Sequence, residues 1–581
     1  MARVSNLRIN IFLAVVLLAS SLILYRLFIL SIVNHSSYSR IAQTQSENIN
    51  NILARGNIYF SENNGVAVLA ATNKKFPLVH IIPEQVSLSD KEKAVNGLSG
   101  IIDIDKEELR KKIYSQSDVL KVIARRVNNE QIEAVKTLNI KGVGVSYETD
   151  RFYPGEGIAA NAMGFLGYNA EGNRAGQYGV EEYYEQDLLG KRPGFKSLFN
   201  LPDPLGIAGF IRRIVEGESD EKELQPEFDR PMDIVLTVDK NIQNFAEDKL
   251  NELINKWQAE KGTIIVQEPE TGKILAMASW PSFNPNNYSD AEPEYFLNGS
   301  IQEVYEPGSS FKPMIMSAGI DLGKITPQTS YEDKGFVNIA GYTIHNFSNR
   351  VFGIQNMTQV LQNSVNTGTM FVENIIGDDN FLNYVINMGF GQKTGIDLPG
   401  EVSGDVANLY SGRKINYLTA SFGQGIAVTP LQLINAYSTI ANGGKLMRPH
   451  IVDRIIKEGG EETITNPEIV GIPITEKTAI KLQSMLISVV DHGFDKARIA
   501  GYDIAGKTGT AQLPDGKGGY SEDEFIHNFV GFAPAYNAKF TILIKMDKPK
   551  GIQFAADSLS PFFKEIAAYL INYYNIPPSR H

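Results

Sequence analysis

Ser309 and Lys312 stand three residues apart in the segment EPGSSFKP, and such a pair can make a nucleophile. A serine hydroxyl attacks poorly until a base takes its proton. A lysine becomes that base when burial and a cationic neighbour lower its pKa. Pro307 and Gly308 read as the start of a helix, which puts Ser309 where free N–H groups favour a developing anion. Lys312 then returns to the same face one turn later. The spacing alone is weak, because S-x-x-K recurs at Ser219–Lys222, in a charge run, and at Ser411–Lys414, in a polar segment. Both read as solvated surface, since neither has the Pro-Gly lead-in or the apolar helix that follows Lys312.

Two further motifs give the pair a context. NSVNTGT supplies Ser364 and Asn366 as S-x-N, a pattern also met at Ser46–Asn48, Ser61–Asn63 and Ser282–Asn284. AGKTGTAQ supplies Lys507, Thr508, Gly509 and Thr510 on an expected strand, where a small residue lets a substrate backbone lie close. A second K-T-G, Lys393–Gly395, precedes a proline-terminated loop and has Ile396 in the place of Thr510, so it reads as structural. Order and spacing carry the weight. S-x-x-K, then S-x-N about 55 residues on, then K-T-G-T about 140 further, is the trio of penicillin-binding proteins and serine β-lactamases.

The rest of the chain must position these groups. Its 581 residues suggest two or three folded units, and 43% hydrophobic with 21% charged residues can form a sizeable core. A net charge of −11 argues against capture of nucleic acid. With no cysteine, disulfides, thiolate catalysis and cysteine metal sites are excluded; the seven histidines are scattered, and no metal or cofactor is expected.

From about residue 9 to 33 the chain is almost wholly apolar, long enough for a single transmembrane helix. Arg3 and Arg8 hold residues 1–8 in the cytoplasm, and the run continues past the weak small-x-small site at Ala19 and Ser21, which favours an uncleaved anchor. Residues 34–230 read as mixed α and β. RGNIYFSENNGVAVLA is a strand, turn and strand, NEQIEAVKTL is helical, GVGVSYETDRFYP is a strand, and a short helix covers GVEEYYEQDLLG. Residues 195–230, with the charge run EGESDEKE and a possible amphipathic helix PLGIAGFIRRIV, read as linker or surface loop. From 231 to 581 the expected fold is α+β. DIVLTVD leads into an amphipathic helix, GTIIVQEPETGKILAMAS is a hairpin, GKTGTAQ, HNFVGFAPA and KFTILIKMD are strands, and SPFFKEIAAYLINYY is a terminal helix.

Along nearly its whole length the chain resembles class B penicillin-binding proteins. RGNIYFSENNGVAVLA, RFYPGEG, GFLGY and GVEEYYEQDLLGK are similar to that family's pedestal boxes, and LTVDKNIQ, PSFNPNNY, SFGQGIAVTPLQL and FVGFAPA to segments around its active site. The resemblance implies an anchor, a pedestal or dimerisation-like domain, and a transpeptidase domain built as an antiparallel sheet flanked by helices. It implies that Ser309 attacks a D-Ala-D-Ala stem peptide, Lys312 is the base, Ser364 relays the proton, and Asn366 holds the donor amide and Lys312. Lys507 keeps the pocket positive, Thr508 and Thr510 bind the substrate carboxylate beside Gly509, and the N–H groups of Ser309 and Thr510 form the oxyanion hole. Implied partners are the donor and acceptor stem peptides, β-lactams as inhibitors, membrane lipid, a membrane glycosyltransferase and division proteins, all at the outer face of the plasma membrane. The short stretch between PSFNPNNY and EPGSSFKP, Glu306 before the proline, and IARRVNNEQ are similar to the division-specific branch. Asn298-Gly299 departs from the arginine-asparagine usual there. The alternatives are an elongation-specific transpeptidase, a β-lactamase or D,D-carboxypeptidase, and a non-catalytic β-lactam sensor.

Overall fold

A computed structural model describes residues 55–115, 120–170, 172–190, 231–339, 341–493, 495–514 and 519–580. The expected anchor at 9–33 and the segment 195–230 lie outside them. No helix among the described residues is long and apolar enough to cross a membrane. Packing divides the described residues into two compact units, those of 73–150 and those of 55–72 with 151–580.

In the smaller unit, Leu78–Ile81 pairs antiparallel with Lys121–Arg125. Helices Leu88–Ile101, Lys106–Ile113 and Asn129–Leu138 bury Val95, Leu98, Leu109, Ile132 and Val135 against Val79, Ile81 and Ile123. The third helix begins where NEQIEAVKTL predicts. Asn128 accepts from the Gln131 N–H while the Gln131 side chain caps the Asn128 N–H, which satisfies two donors the helix cannot.

The larger unit is organised by five strands: β1 (Lys261–Gln267), β2 (Ile274–Trp280), β3 (Ala505–Pro514), β4 (Tyr520–Ala533) and β5 (Phe540–Asp547). They form one antiparallel sheet in the order β3-β4-β5-β1-β2, so the strand carrying Lys507 is an edge. Its helices include α1 (Lys240–Trp257), α2 (Lys312–Asp321), α3 (Met357–Gln362), α4 (Asn366–Ile376), α5 (Pro430–Ala441), α6 (Glu476–His492) and α7 (Ser560–Tyr573). Strand residues alternate between two cores. Ile264, Val266, Ile542 and Ile544 pack with Ile242 and Ala246 of α1 and Phe562 and Ile566 of α7. Ile265, Leu543 and Val530 join Leu433 and Ile434 of α5 and Met314 and Ile315 of α2. Because both faces are covered, Ile264–Val266 of β1 and Ile542–Ile544 of β5 read as continuous apolar runs rather than as alternation. Helix α2 is buried on every side from Lys312 to Ile320, which is why its sequence has no polar stripe.

The turn at Asn63–Gly65 joins Ile58–Ser61 to an antiparallel partner at Ala67–Ala71, as the sequence predicts. Ile58–Ser61 also runs parallel to Asp233–Asp239. The helix expected over GVEEYYEQDLLG is two short ones, Gly179–Tyr183 and Glu185–Leu189, broken at Tyr184. Three of the pedestal-like boxes meet in a buried charge cluster. Glu181 takes the Arg55 Nε–H at 2.6 Å and the Arg151 Nε–H at 2.7 Å, and the Tyr153 hydroxyl donates to it at 3.1 Å. Burial alone would raise the Glu181 pKa, but the two guanidinium groups outweigh it and hold the carboxyl below its usual value.

Candidate active site

The nucleophile turn is a 3-10 turn, Gly308–Phe311, that runs directly into α2. Gly308 has φ +59°, a conformation that glycine adopts without strain, and its Cα faces the Thr510 carbonyl. The turn is clamped from three directions. The Gly308 N–H donates to Gly423 O at 3.1 Å, Tyr437 of α5 donates to Ser310 O at 2.7 Å, and the Asn528 amide of β4 donates to Pro307 O at 3.0 Å. Ser309 is left half-exposed at the floor of a cleft of about 340 Å³.

Gly509 serves this clamp. A Cβ there would lie 2.4 Å from Pro307 O and 2.6 Å from the Asn528 amide nitrogen. The sequence predicts that its smallness admits a substrate backbone. The space is instead filled by the protein's own nucleophile turn, so a side chain at 509 would displace Ser309.

Lys312 is fully buried, and its ammonium meets three neutral oxygens. It donates to the Ser364 carbonyl at 2.5 Å, the Ser364 hydroxyl at 3.1 Å and the Asn366 side-chain oxygen at 2.8 Å. The S-x-N residues reach it because Ser364 sits between α3 and α4 with φ +56°. That left-handed conformation costs a non-glycine residue about 1–2 kcal/mol, and it turns both oxygens of Ser364 toward one amine. Lys507, also fully buried, donates to the same hydroxyl at 3.1 Å and to Thr508 O at 3.1 Å. Ser364 Oγ therefore bridges two amines.

Burial drives the Lys312 pKa well below that of a free lysine, and the charge of Lys507 adds to the effect. Burial also lowers Lys507, to about 7. An ammonium fills all three contacts of Lys312. A neutral amine has two N–H groups and a lone pair, so losing the proton frees one direction for accepting a hydroxyl proton. That is the property a base near a serine needs.

Thr508 and Thr510 line the same cleft. The Thr510 hydroxyl accepts the Ala555 N–H at 3.1 Å, which leaves its own proton to donate. In register with Thr510, buried His527 bonds the Ser558 hydroxyl at 2.9 Å and Gln553 O at 3.1 Å. Burial lowers its pKa to about 4, so it is neutral near pH 7 and acts as a brace for the 553–558 segment.

Ser309, Ser364, Asn366, Thr508 and Thr510 thus line one cleft, and the buried Lys312 and Lys507 reach it through the Ser364 hydroxyl. The competing motifs go elsewhere. Lys393–Gly395 is a loop, with the Thr394 N–H and hydroxyl both bonded to Glu401. It lines a larger cavity of about 590 Å³ that none of Ser309, Lys312 or Ser364 borders. Lys414 is not simply solvated: it is half-buried and paired with the buried Glu373 at 2.5 Å and with Asp378 at 2.6 Å. Ser219–Lys222 lies outside the described residues.

Several contributors left no trace in the sequence. Asp333 is buried beside the S-x-N turn and accepts from Thr367 Oγ1 at 2.6 Å, Gly335 N at 2.9 Å and Phe352 N at 2.8 Å. In SYEDKGF it reads as an ordinary surface charge. Tyr437 and Asn528 likewise belong to apolar or strand patterns that announce only packing.

Residues 262–568 match the family described as "Penicillin binding protein transpeptidase domain", and residues 53–198 match "Penicillin-binding Protein dimerisation domain". The chain is 32% identical over 514 residues to stage V sporulation protein D of Bacillus subtilis, covering 87% of this chain and 76% of that protein. It is 28% identical to a peptidoglycan D,D-transpeptidase FtsI homolog of Mesostigma viride, over 96% of this chain and 94% of the relative. Its fold is similar to that of penicillin binding protein 3 from Mycobacterium tuberculosis, solved with aztreonam, at a TM-score of 0.67 and 23% identity over 91% of this chain and 97% of that one.

Proposed function

The chain belongs to the penicillin-binding protein transpeptidase family, and on that premise we propose that it crosslinks peptidoglycan through an acyl-enzyme on Ser309. The observation that carries this reading is the pair of buried lysines converging on Ser364 Oγ beside the Ser309 turn. Lys312 takes the Ser309 proton, and Ser309 Oγ attacks the carbonyl of the penultimate D-alanine. The N–H groups of Ser309 and Thr510 receive the oxyanion; their segments touch at Gly308, whose Cβ would lie 3.1 Å from Thr510 O. Collapse breaks the peptide bond, and the departing D-alanine amine takes a proton from Lys312 through the Ser364 hydroxyl. An amine of a second stem peptide then attacks the ester, gives up a proton and releases Ser309. Asn366 orients the donor amide and Lys312, and the Thr508 and Thr510 hydroxyls hold the terminal carboxylate on the field of Lys507. A β-lactam presents the same carbonyl and carboxylate but keeps its leaving group tethered, so Ser309 stays blocked.

The division-specific likeness and the relative named FtsI homolog support a septal role. We assign residues 1–8 to a cytoplasmic tail, 9–33 to a single membrane anchor, 34–230 to a pedestal and 231–581 to the transpeptidase domain, on the apolar run and the family boxes. The catalytic cleft then faces the wall, where a membrane glycosyltransferase and division proteins supply nascent strands. Labelling with a fluorescent penicillin tests the core of this reading. Wild type takes a stable label and Ser309→Ala takes none; label retained by the mutant overturns the site. Fast turnover of the penicillin would instead establish a β-lactamase. Imaging of a tagged full-length chain tests the septal role, which a distribution along the side wall would refute.

A further inference from the structure

The cleft around Ser309 carries one charge that this chemistry leaves unused. Arg350 lines it, exposed, and its guanidinium has no hydrogen-bond or ion-pair partner among the described residues. Among the described residues no aspartate or glutamate lines the cleft, although the chain has 66 acidic residues and a net charge of −11. His492, at the end of α6, borders it too.

The backbone under Arg350 is fixed to the catalytic turn. Asn346 donates to Arg350 O at 3.1 Å and to both oxygens of Asp333, at 3.0 and 2.9 Å, while its own oxygen accepts the Thr367 N–H at 3.1 Å. Asp333 also takes the Thr367 hydroxyl and the Phe352 N–H. Thr367 follows Asn366, so the loop that presents Arg350 is tied to the residue that holds Lys312. A guanidinium is a planar fork that matches a carboxylate in two parallel bonds, and the backbone that carries this one is fixed at the cleft before substrate arrives.

We infer that Arg350 is a specificity-determining residue that reads a second carboxylate on the stem peptide, apart from the terminal one assigned to Thr508 and Thr510. The inference rests on the transpeptidase reading. The carboxylate belongs either to the donor or to the acceptor peptide, and the chemistry of recognition is the same.

The test uses purified full-length protein with synthetic thioester donor peptides that carry either a free internal carboxylate or its carboxamide, and acceptor peptides varied in the same way. Wild type prefers the free acid about tenfold in kcat/KM, the change expected for one charge-assisted pair. Arg350→Ala brings the acid-to-amide ratio to about one, and Arg350→Lys, a point charge without the fork, falls between. A ratio that responds only when the donor is varied places the carboxylate on the donor, and the reverse places it on the acceptor. A wild-type ratio near one in both arms, or an undiminished preference in Arg350→Ala, overturns the inference. Fluorescent-penicillin labelling of the same preparations separates the two levels. Unlabelled wild type sinks the transpeptidase reading, whereas labelled protein with an unchanged ratio sinks only the role of Arg350.

Discussion

Two buried clusters of cations in the larger unit solve the same problem in opposite ways. Arg55 and Arg151 share Glu181, with both of its carboxylate oxygens taken and Tyr153 closing the group, and Arg55 also pairs with Glu185 at 2.6 Å. Lys312 and Lys507 converge on a serine hydroxyl, and Lys312 meets only neutral oxygens. The residue types differ for a reason. Arginine does not lose its proton in a protein, so a buried guanidinium needs a counter-charge. Lysine can lose its proton, so a buried ammonium without one becomes a base. The first cluster ties together segments far apart in sequence, and the second keeps a reactive amine at the expense of stability.

That contrast can be broken at either end. The largest expected effect is on chemistry: Lys312→Met should slow acylation by a β-lactam about 10²–10⁴-fold, the range for loss of a general base, as measured by stopped-flow or gel-based labelling. The same variant should unfold no earlier than wild type, because it removes a buried amine held far from its preferred state. A lower thermal midpoint would mean that Lys312 is structural after all.

Glu181→Gln should do the reverse. It removes the carboxylate that the two buried guanidinium groups share and leaves Glu185 to answer Arg55, and removal of one partner from such a cluster costs about 3–5 kcal/mol. Urea unfolding reads this directly. A midpoint close to wild type would show that the two clusters are not opposites.

Acidity should separate them next. The folded pKa of Lys507 is about 7 against 10.5 for a free lysine, so the unfolded chain holds more protons between those values. Lys507 therefore costs nothing above about pH 10.5, and its cost grows as pH falls to about 7, where it levels off. Stability of wild type should gain on that of Lys507→Met as pH rises from 7 toward 10. The acylation rate should fall on acidification as Lys312 takes up a proton. A pH-independent difference in unfolding midpoint between the two proteins would contradict the depressed pKa.

The smallest effect concerns the bridge. Ser364→Ala and Ser364→Gly both remove the hydroxyl shared by the amines and should lose similar activity. Glycine also relieves the left-handed backbone, so Ser364→Gly should be the more stable of the two by about 1 kcal/mol. Equal stabilities would mean that the turn carries no strain.

Much of this was legible in the chain itself. Elements with strong local signals stand where they were expected: the hairpin of β1 and β2 around Pro269-Glu270-Thr271-Gly272, the capped helix at Asn129, the apolar terminal helix α7. The nucleophile could be separated from the other S-x-x-K pairs by its Pro-Gly lead-in and the apolar helix behind it. Gly509 was legible as a position that tolerates no side chain, but the neighbour that forbids it, Pro307, lies about 200 residues away. Lys414 looked solvated because its partners Glu373 and Asp378 come from another helix pair. Asp333, Asn346 and Arg350 read as an ordinary polar loop, since nothing local says which charge is buried and which is left free.

The sequence by itself determined the reactive residue types, their order and the local turns and helices that carry them, because those depend on bonds and periodicities spanning a few residues. Only the tertiary structure decided that Lys312 and Lys507 share one hydroxyl, that Glu181 answers two arginines, and that a cleft in an acidic protein keeps Arg350 unpaired. Desolvation and pairing are set by neighbours brought together from distant parts of the chain, and it is they that turn a lysine into a base and leave an arginine waiting for a carboxylate.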